Sequence, residues 1–303
     1  VMHPSANLRG IVFMCLAMAA FSCNDALIKS VTGTMNTGQI MFVRGLLTTL
    51  MALAVALHFG ALRPIRTIFR PVILLRIAME ALASVTYISA LALIPLANAS
   101  AIMQALPLAV TLGAALFLGQ PVGWRRWAAI VIGFVGVLIV LRPGPEGFTP
   151  AALTVVACVF VTATRDLCTR RIGTEVPSLF ITVTTAFVTT LVGAALIVPF
   201  GGWQPVSATS FTHIVGASAL LMLGYQTIVL AMREGDISVI APFRYTGLVW
   251  SITIGIVFFA ETPDRWMLAG VAVIIGSGLY TFYRESLRGR TAVAQRAVTS
   301  PLE

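Results

Sequence analysis

Along the chain, apolar runs of about twenty residues alternate with short polar connections that carry prolines, glycines and charges. The runs cover 10–29, 39–58, 73–94, 98–118 and 124–141, and then 150–170, 178–199, 211–232, 238–259 and 266–283. Each is long enough to cross roughly 30 Å of hydrocarbon as a helix. None keeps the period-two alternation of a membrane strand, and a helix satisfies its backbone hydrogen bonds internally, as lipid requires. The pattern predicts an all-α membrane protein with ten transmembrane helices, numbered 1 to 10 below in chain order.

The runs fall into two sets of five, the second displaced from the first by 141 residues. Thr48, Thr49 and Leu50 return as Thr189, Thr190 and Leu191, Phe59 and Gly60 as Phe200 and Gly201, Pro64 as Pro205, and Asp25 as Asp166. An odd number of crossings turns the second set upside down, so two inverted repeats are expected, an arrangement in which two bundles rock about a shared site. The expected units are a first repeat at 1–145, a second at 146–284 and a basic cytoplasmic tail at 285–303. Residues 10–28 read as a retained first helix rather than a cleaved leader, because the Asp25 acid recurs inside the second copy.

Charge sets the expected orientation. One side of the membrane receives thirteen arginines from the connections and termini, and the other receives Lys29, Arg142 and Arg265. Both termini are therefore expected in the cytoplasm, with the tail mobile at the inner surface of a bacterial inner membrane. With 58% apolar and 10% charged residues, the chain lacks the polar cover of a soluble protein of 303 residues. Its net charge of +9 is scattered rather than gathered into a basic patch, which argues against nucleic acid as a partner. The four cysteines lie in apolar runs without metal spacing, so they read as packing residues, and no metal or cofactor is expected.

Ionisable groups inside spans are costly and mark the candidate site. Glu80 is the deepest carboxylate, and Arg76, one turn earlier on the same face, either pairs with it or leaves it for substrate. Arg44, Arg165 and Asp166, with Asn24 and Asp25, lie near helix ends and read as gating or ion-pair residues, Asp25 having Lys29 one turn away. Arg244 stands beside Pro242 and Tyr245 in the ninth run, where a proline frees a backbone carbonyl and the guanidinium suits a carboxylate or phosphate. The repeat offset superposes Gln104 on Tyr245, Ser84 on Tyr225 and Met103 on Arg244. These mismatched positions, with Tyr87 and Trp250, are the expected substrate contacts, while the shared ones are expected to be scaffold. In the fifth and tenth runs Ala129 and Gly133 repeat as Ala272 and Gly276, with Gly136 and Gly278 beyond, which predicts close helix approach within the bundle or between two subunits. The chain contains no HExxH, GxSxG or phosphate-binding loop and no nucleophile and base that can be named together, so no catalytic residue is expected.

The two inverted fives, Phe42-Val43-Arg44-Gly45, the run Ala90 to Pro95 leading into Ala97 to Ala101, and Leu116-Phe117-Leu118-Gly119-Gln120 resemble the drug/metabolite transporter superfamily, EamA type, and most of all its YddG-type amino-acid exporters. The resemblance covers nearly the whole chain. It implies a central cavity lined by helices 1, 3, 4, 6, 8 and 9 and an acid after the fourth or ninth helix, which here survives as Glu261 opposite Gln120. The function it implies is export of small amphipathic metabolites, most of all amino acids including aromatic ones, by alternating access. A drug, anionic or nucleotide-metabolite carrier of the same superfamily is the alternative, and an intramembrane enzyme or structural membrane protein the remote one. The expected partners are a small-molecule substrate and the lipid bilayer, the protein being a monomer or a homodimer through helices 5 and 10.

Overall fold

The computed structural model describes residues 4–119, 123–141, 149–173, 175–234 and 237–299. Gln120 and Arg142 lie outside the described residues. All regular structure among the described residues is helical, and ten helices are long and apolar enough to span a membrane. They are Asn7–Val31, Thr37–His58, Pro71–Leu91, Leu96–Phe117, Trp124–Leu141, Pro150–Arg171, Ser178–Ile197, Ala208–Ala231, Ala241–Phe259 and Arg265–Arg284.

Prolines and caps set several of these boundaries. Asn36 accepts the Gln39 amide at the start of helix 2, Thr149 accepts the Ala152 amide at the start of helix 6, and Pro71 and Pro150 occupy first-turn positions where a missing N–H costs nothing. Two spans are interrupted. Helix 4 consists of Leu96–Met103 and Leu106–Phe117, with a tight turn at Gln104 and Ala105 just before Pro107. Helix 9 begins as the 3₁₀ turn Ala241–Tyr245 and becomes α-helical from Thr246. The breaks therefore fall at Gln104 and Tyr245, positions related by the repeat offset, although Pro107 and Pro242 are not. Helix 10 departs from expectation at its end. The segment expected as a mobile tail continues the helix to Thr299, because its arginine, alanine and glutamine residues are good helix formers and no proline intervenes before Pro301.

Helix 1 packs on helices 8 and 9, helix 6 on helices 3 and 4, helix 2 on helix 7, and helix 5 on helix 10. Exchanging each helix for the one five places along leaves these pairings unchanged. Where helices 2 and 7 cross, the Thr49 and Thr190 hydroxyls, themselves 141 residues apart, lie 3.4 Å from each other. The approach is close because glycine faces backbone. A Cβ on Gly193 would sit 2.6 Å from the Phe42 amide nitrogen, and one on Gly38 2.6 Å from the Leu196 carbonyl carbon. In the helix 5 and 10 pair, Gly136 faces the Gly270 carbonyl, Gly133 faces Leu108 and Ser277, and Gly278 receives the Tyr245 ring. Much of the small-residue surface is thus spent on contacts within the chain, whereas Gly276 has nothing within 4 Å. Large apolar side chains such as Phe117, Leu93 and Val257 point outward, as lipid permits.

Backbone proximity makes a direct stability prediction. Gly193→Ala should lower the thermal midpoint in detergent by an amount equivalent to about 1–3 kcal/mol, the usual cost of overpacking. Gly276→Ala, facing open space, should leave the midpoint unchanged or raised; equal effects for the two would contradict the close crossing of helices 2 and 7.

Candidate functional site

A cavity of about 540 Å³ lies between helices 2, 3, 6, 7 and 8. Its wall runs from Phe59, Ser178 and Val229 at the end of the bundle that carries the 59–70 and 172–177 connections, past Ser84 and Leu221 near the middle, to Met41 in the second turn of helix 2. Much of the lining is apolar, but Arg44, Arg76 and Glu80 face into it with several threonines. Arg76 is held in place: its Nη1 donates to Thr185 Oγ1 at 2.7 Å and its Nε to Thr169 Oγ1 at 3.1 Å. Tyr225 lines the same space with its ring set edge-on against Phe21, centroids 5.5 Å apart.

A second cavity, of about 250 Å³, lies on the other side of helix 6, between helices 4, 9 and 10 and the start of helix 5. Arg244 and Asp166 line it, and Thr169 borders both cavities. Between the two stands Arg165. Its Nη1 donates to Glu80 Oε2 at 2.9 Å, while Nη2 and Nε donate to Asp166 Oδ1 at 2.7 and 2.9 Å. One guanidinium thus ties helix 6 to helix 3 and holds a carboxylate of each cavity. Glu80, Arg165 and Asp166 are between 18% and 31% exposed, so solvent screens this cluster far less than a surface pair.

The opposite end of the bundle is closed by polar contacts that join residues far apart in sequence. Lys29, in the last turn of helix 1, donates to the Leu91 and Ile94 carbonyls at 3.3 and 2.5 Å and pairs with Glu261 at 3.3 Å. Glu261 in turn accepts the Leu96 and Ala97 amides at 2.9 and 3.4 Å at the start of helix 4. A cation at helix C-termini and an anion at an N-terminus complement the helix dipoles. Ala260 aims the acid: it sits in the left-handed region at φ 51°, a strained conformation for alanine that turns the chain back onto helix 4. Nearby, Asn36 donates to the Gly202 carbonyl at 2.6 Å, and the Gln39 side chain exchanges bonds of 2.8 and 3.1 Å with the Gln204 backbone. On the cavity side, Arg70 and Glu175 join the two connections at 2.7 Å; hydrogen bonds from the Glu175 backbone and from Arg70 hold the Glu175 carboxyl below the usual carboxylate range.

Of the candidate substrate contacts, the large cavity gathers Glu80, Ser84 and Tyr225, together with Arg44 from the candidate gating set. Arg244 is separated from them in the smaller cavity with Asp166. The others line neither. Tyr87 spends its hydroxyl on Asp25 at 2.8 Å, Asp25 also accepting Asn24 Nδ2 at 2.9 Å. Tyr245 is buried against Gly278, Gln104 sits at the break in helix 4, and Trp250 is 42% exposed. Three expectations need correction. Lys29 pairs with Glu261 and not with Asp25, because the end of helix 1 abuts the starts of the facing segments. The ion pair of Glu80 is with Arg165 on helix 6, the Arg76 guanidinium being drawn to Thr169 and Thr185. Helices 2 and 7, absent from the expected lining, supply much of the wall, including Thr48 and Thr189, a repeated pair expected to be scaffold. Both hydroxyls are buried without a hydrogen-bond partner. Their recurrence as polar residues in otherwise apolar runs was the available signal. The Lys29, Glu261 and Leu96 cluster had none beyond the recurring glutamine and glutamate, since each residue stands near a different helix end.

Among the described residues, no group of histidine, cysteine and acid suited to a metal ion is present. Residues 8–142 match the EamA-like transporter family. Relatives align over almost the whole chain. An S-adenosylmethionine uptake transporter of Rickettsia conorii is 26% identical over 92% of this chain and 94% of its own. A riboflavin transporter of Rhizobium johnstonii is 29% identical over 95% of each, and a pseudopaline exporter of Pseudomonas aeruginosa 26% identical over 88% of this chain and 93% of its own. A solved structure of 22% identity superposes over 94% of this chain and 99% of its own with a TM-score of 0.66, which is a likeness of fold. Over its first half the chain thus resembles the EamA-like transporter family, its full-length relatives are bacterial transporters, and its ten long apolar helices mark it as a multi-pass membrane protein.

Arg165→Met strands two carboxylates at once and should destabilise the protein by about 3–5 kcal/mol, read as loss of thermal midpoint in detergent. Adding Glu80→Gln to that variant should restore part of the loss. A double variant no more stable than Arg165→Met alone would show that the tie between helices 3 and 6 contributes little.

Proposed function

We propose that the protein exports small amphipathic metabolites that carry a carboxylate, amino acids including aromatic ones being the first candidates, by alternating access through the large cavity. The observation that carries this reading is the set of Arg44, Arg76 and Glu80 facing the same space as Tyr225. Two guanidiniums against one carboxylate favour an anionic or zwitterionic head, while the tyrosine edge and aliphatic wall suit a ring or chain. A cavity of about 540 Å³ falls within the range for small metabolites. The arginine asymmetry of the connections supports a cytoplasmic cavity end, where an exporter would load in this conformation, with the Lys29 and Glu261 contacts closing the outer end. The self-consistent exchange of helix pairings supports two inverted halves, and with them rocking as the means of access. The second reading, a carrier of larger anionic metabolites, is favoured by the charges that lie more than two residues from a span end: Arg44, Arg76, Arg165 and Arg244 against Asp25, Glu80 and Asp166.

The substrate class is tested in proteoliposomes of known orientation, loaded with labelled phenylalanine, other amino acids, riboflavin or S-adenosylmethionine, with efflux and uptake both followed. The expected result is saturable phenylalanine efflux that falls at least about tenfold in Arg44→Gln, a loss of about 1.4 kcal/mol or more. Transport of riboflavin or S-adenosylmethionine with no amino-acid flux would replace the first reading by the second. Absence of flux for the whole panel would sink both.

The closed outer end makes a separate prediction. In a background without native cysteines, spin labels at Leu93→Cys and Trp203→Cys should report one short distance, and Glu261→Gln should add a longer population without lowering the thermal midpoint by more than a few degrees. An unchanged distance distribution would mean that the Lys29 and Glu261 pair does not hold that end shut.

A further inference from the structure

We infer that the smaller cavity is a second ligand site, one that takes an anionic group, a phosphate or carboxylate, on Arg244. Charge bookkeeping on the spans leads there. Arg165 is engaged by Glu80 and Asp166, Arg76 lies in the field of Glu80, and Arg44 in the fields of Asp25 and Glu80. Among the described residues, Arg244 is left over. The carboxylate that acts on it is Asp166, which already accepts two hydrogen bonds from Arg165. More than two residues from a span end, four arginines stand against three acids, and of those four Arg244 is the one without a carboxylate of its own among the described residues. A guanidinium in a bundle interior normally has a partner, because an unpaired charge there costs several kcal/mol.

The surroundings suit an anion that enters and leaves. Arg126 and Arg170 border the same cavity of about 250 Å³, and Thr111 and Thr169 bring hydroxyls to it. The volume admits a head group rather than a whole aromatic metabolite. The planar guanidinium offers the paired donors that phosphate and carboxylate oxygens match. Pro242 and the 3₁₀ turn fix the backbone at Arg244, so the side chain leaves a rigid segment and not a loop. Helix 6 separates this cavity from the large one, and Thr169 and the Arg165 tie lie between them. An anion on Arg244 would therefore act on Asp166, and through Arg165 on Glu80, without occupying the large cavity. Two sources offer this chemistry: a soluble anion from the side that carries the 4-to-5 and 8-to-9 connections, and an anionic phospholipid head group entering beside Phe282. The inference is independent of what the large cavity carries.

The test is binding, which does not depend on transport. The full chain in phosphatidylcholine nanodiscs is titrated with inorganic phosphate, and separately placed in nanodiscs containing phosphatidylglycerol without phosphate, with the thermal midpoint followed in each. Wild-type protein should be stabilised by one of the two. Arg244→Gln should weaken the response at least about tenfold, while Arg44→Gln, altered in the large cavity, should retain it. Thr111→Glu, which tethers a carboxylate inside the cavity, should abolish the response while keeping or raising the midpoint, and it reports even if Arg244→Gln fails to fold. Stabilisation by phosphate in neutral lipid assigns a soluble anion, and stabilisation by phosphatidylglycerol alone assigns a lipid head group. A response to neither, or one that survives Thr111→Glu and disappears in Arg44→Gln, overturns the inference.

Discussion

The two cavities depend on one guanidinium. Arg165 holds Glu80 of helix 3 and Asp166 of its own helix at 2.7 to 2.9 Å, and in doing so it fixes the wall that separates one space from the other. Where water reaches them only in part, two carboxylates at this depth are stabilised by a shared cation, and arginine can serve both because its donors fan out in a plane. The neighbouring groups follow from that assignment. With Arg165 committed, Arg76 turns to the Thr169 and Thr185 hydroxyls, and Arg244 faces an acid whose oxygen is already in use. Each cavity keeps a positive surplus, which is the electrostatic basis for reading both as receptors of negatively charged groups.

The ends of the bundle use a different currency. The closed end joins the halves through helix termini: a lysine on the carbonyls that finish helix 3, a glutamate on the amides that start helix 4, and an ion pair between them. Lys29 and Glu261 are 15% and 13% exposed, and water can take over these polar groups when the end opens. Glycines serve the parts that do not part. At Gly38 and Gly193 helices 2 and 7 approach backbone to backbone, and at Gly136 and Gly270 helices 5 and 10 do the same. Dispersion between close backbones supplies cohesion that the hydrophobic effect cannot supply in lipid.

The count of spans and their limits to within a few residues were legible in the chain, because a membrane imposes a length and polarity rule on each segment separately. The breaks in helices 4 and 9 were legible only in part. Pro107 and Pro242 announce a bend, yet the bends coincide at Gln104 and Tyr245, which the prolines do not mark. Among the candidate contacts, Glu80, Ser84 and Tyr225 share the large cavity, whereas Tyr87, Gln104, Tyr245 and Trp250 line neither of the two cavities. Polarity inside a span shows that a residue needs an explanation; it does not show which neighbour supplies it.

By itself, then, the sequence determined that ten segments are long and apolar enough to cross a membrane and that several arginines and acids lie within them. Only the tertiary structure decided how those charges pair. Lys29 passes over Asp25, one turn away, for Glu261, more than two hundred residues distant, and Glu80 passes over Arg76 for Arg165. The physical reason is that hydropathy is a property of each segment in lipid, whereas an ion pair is a property of two surfaces brought together. Rotation of a helix by one residue redirects its charges by about 100° without altering the sequence pattern that made it a helix.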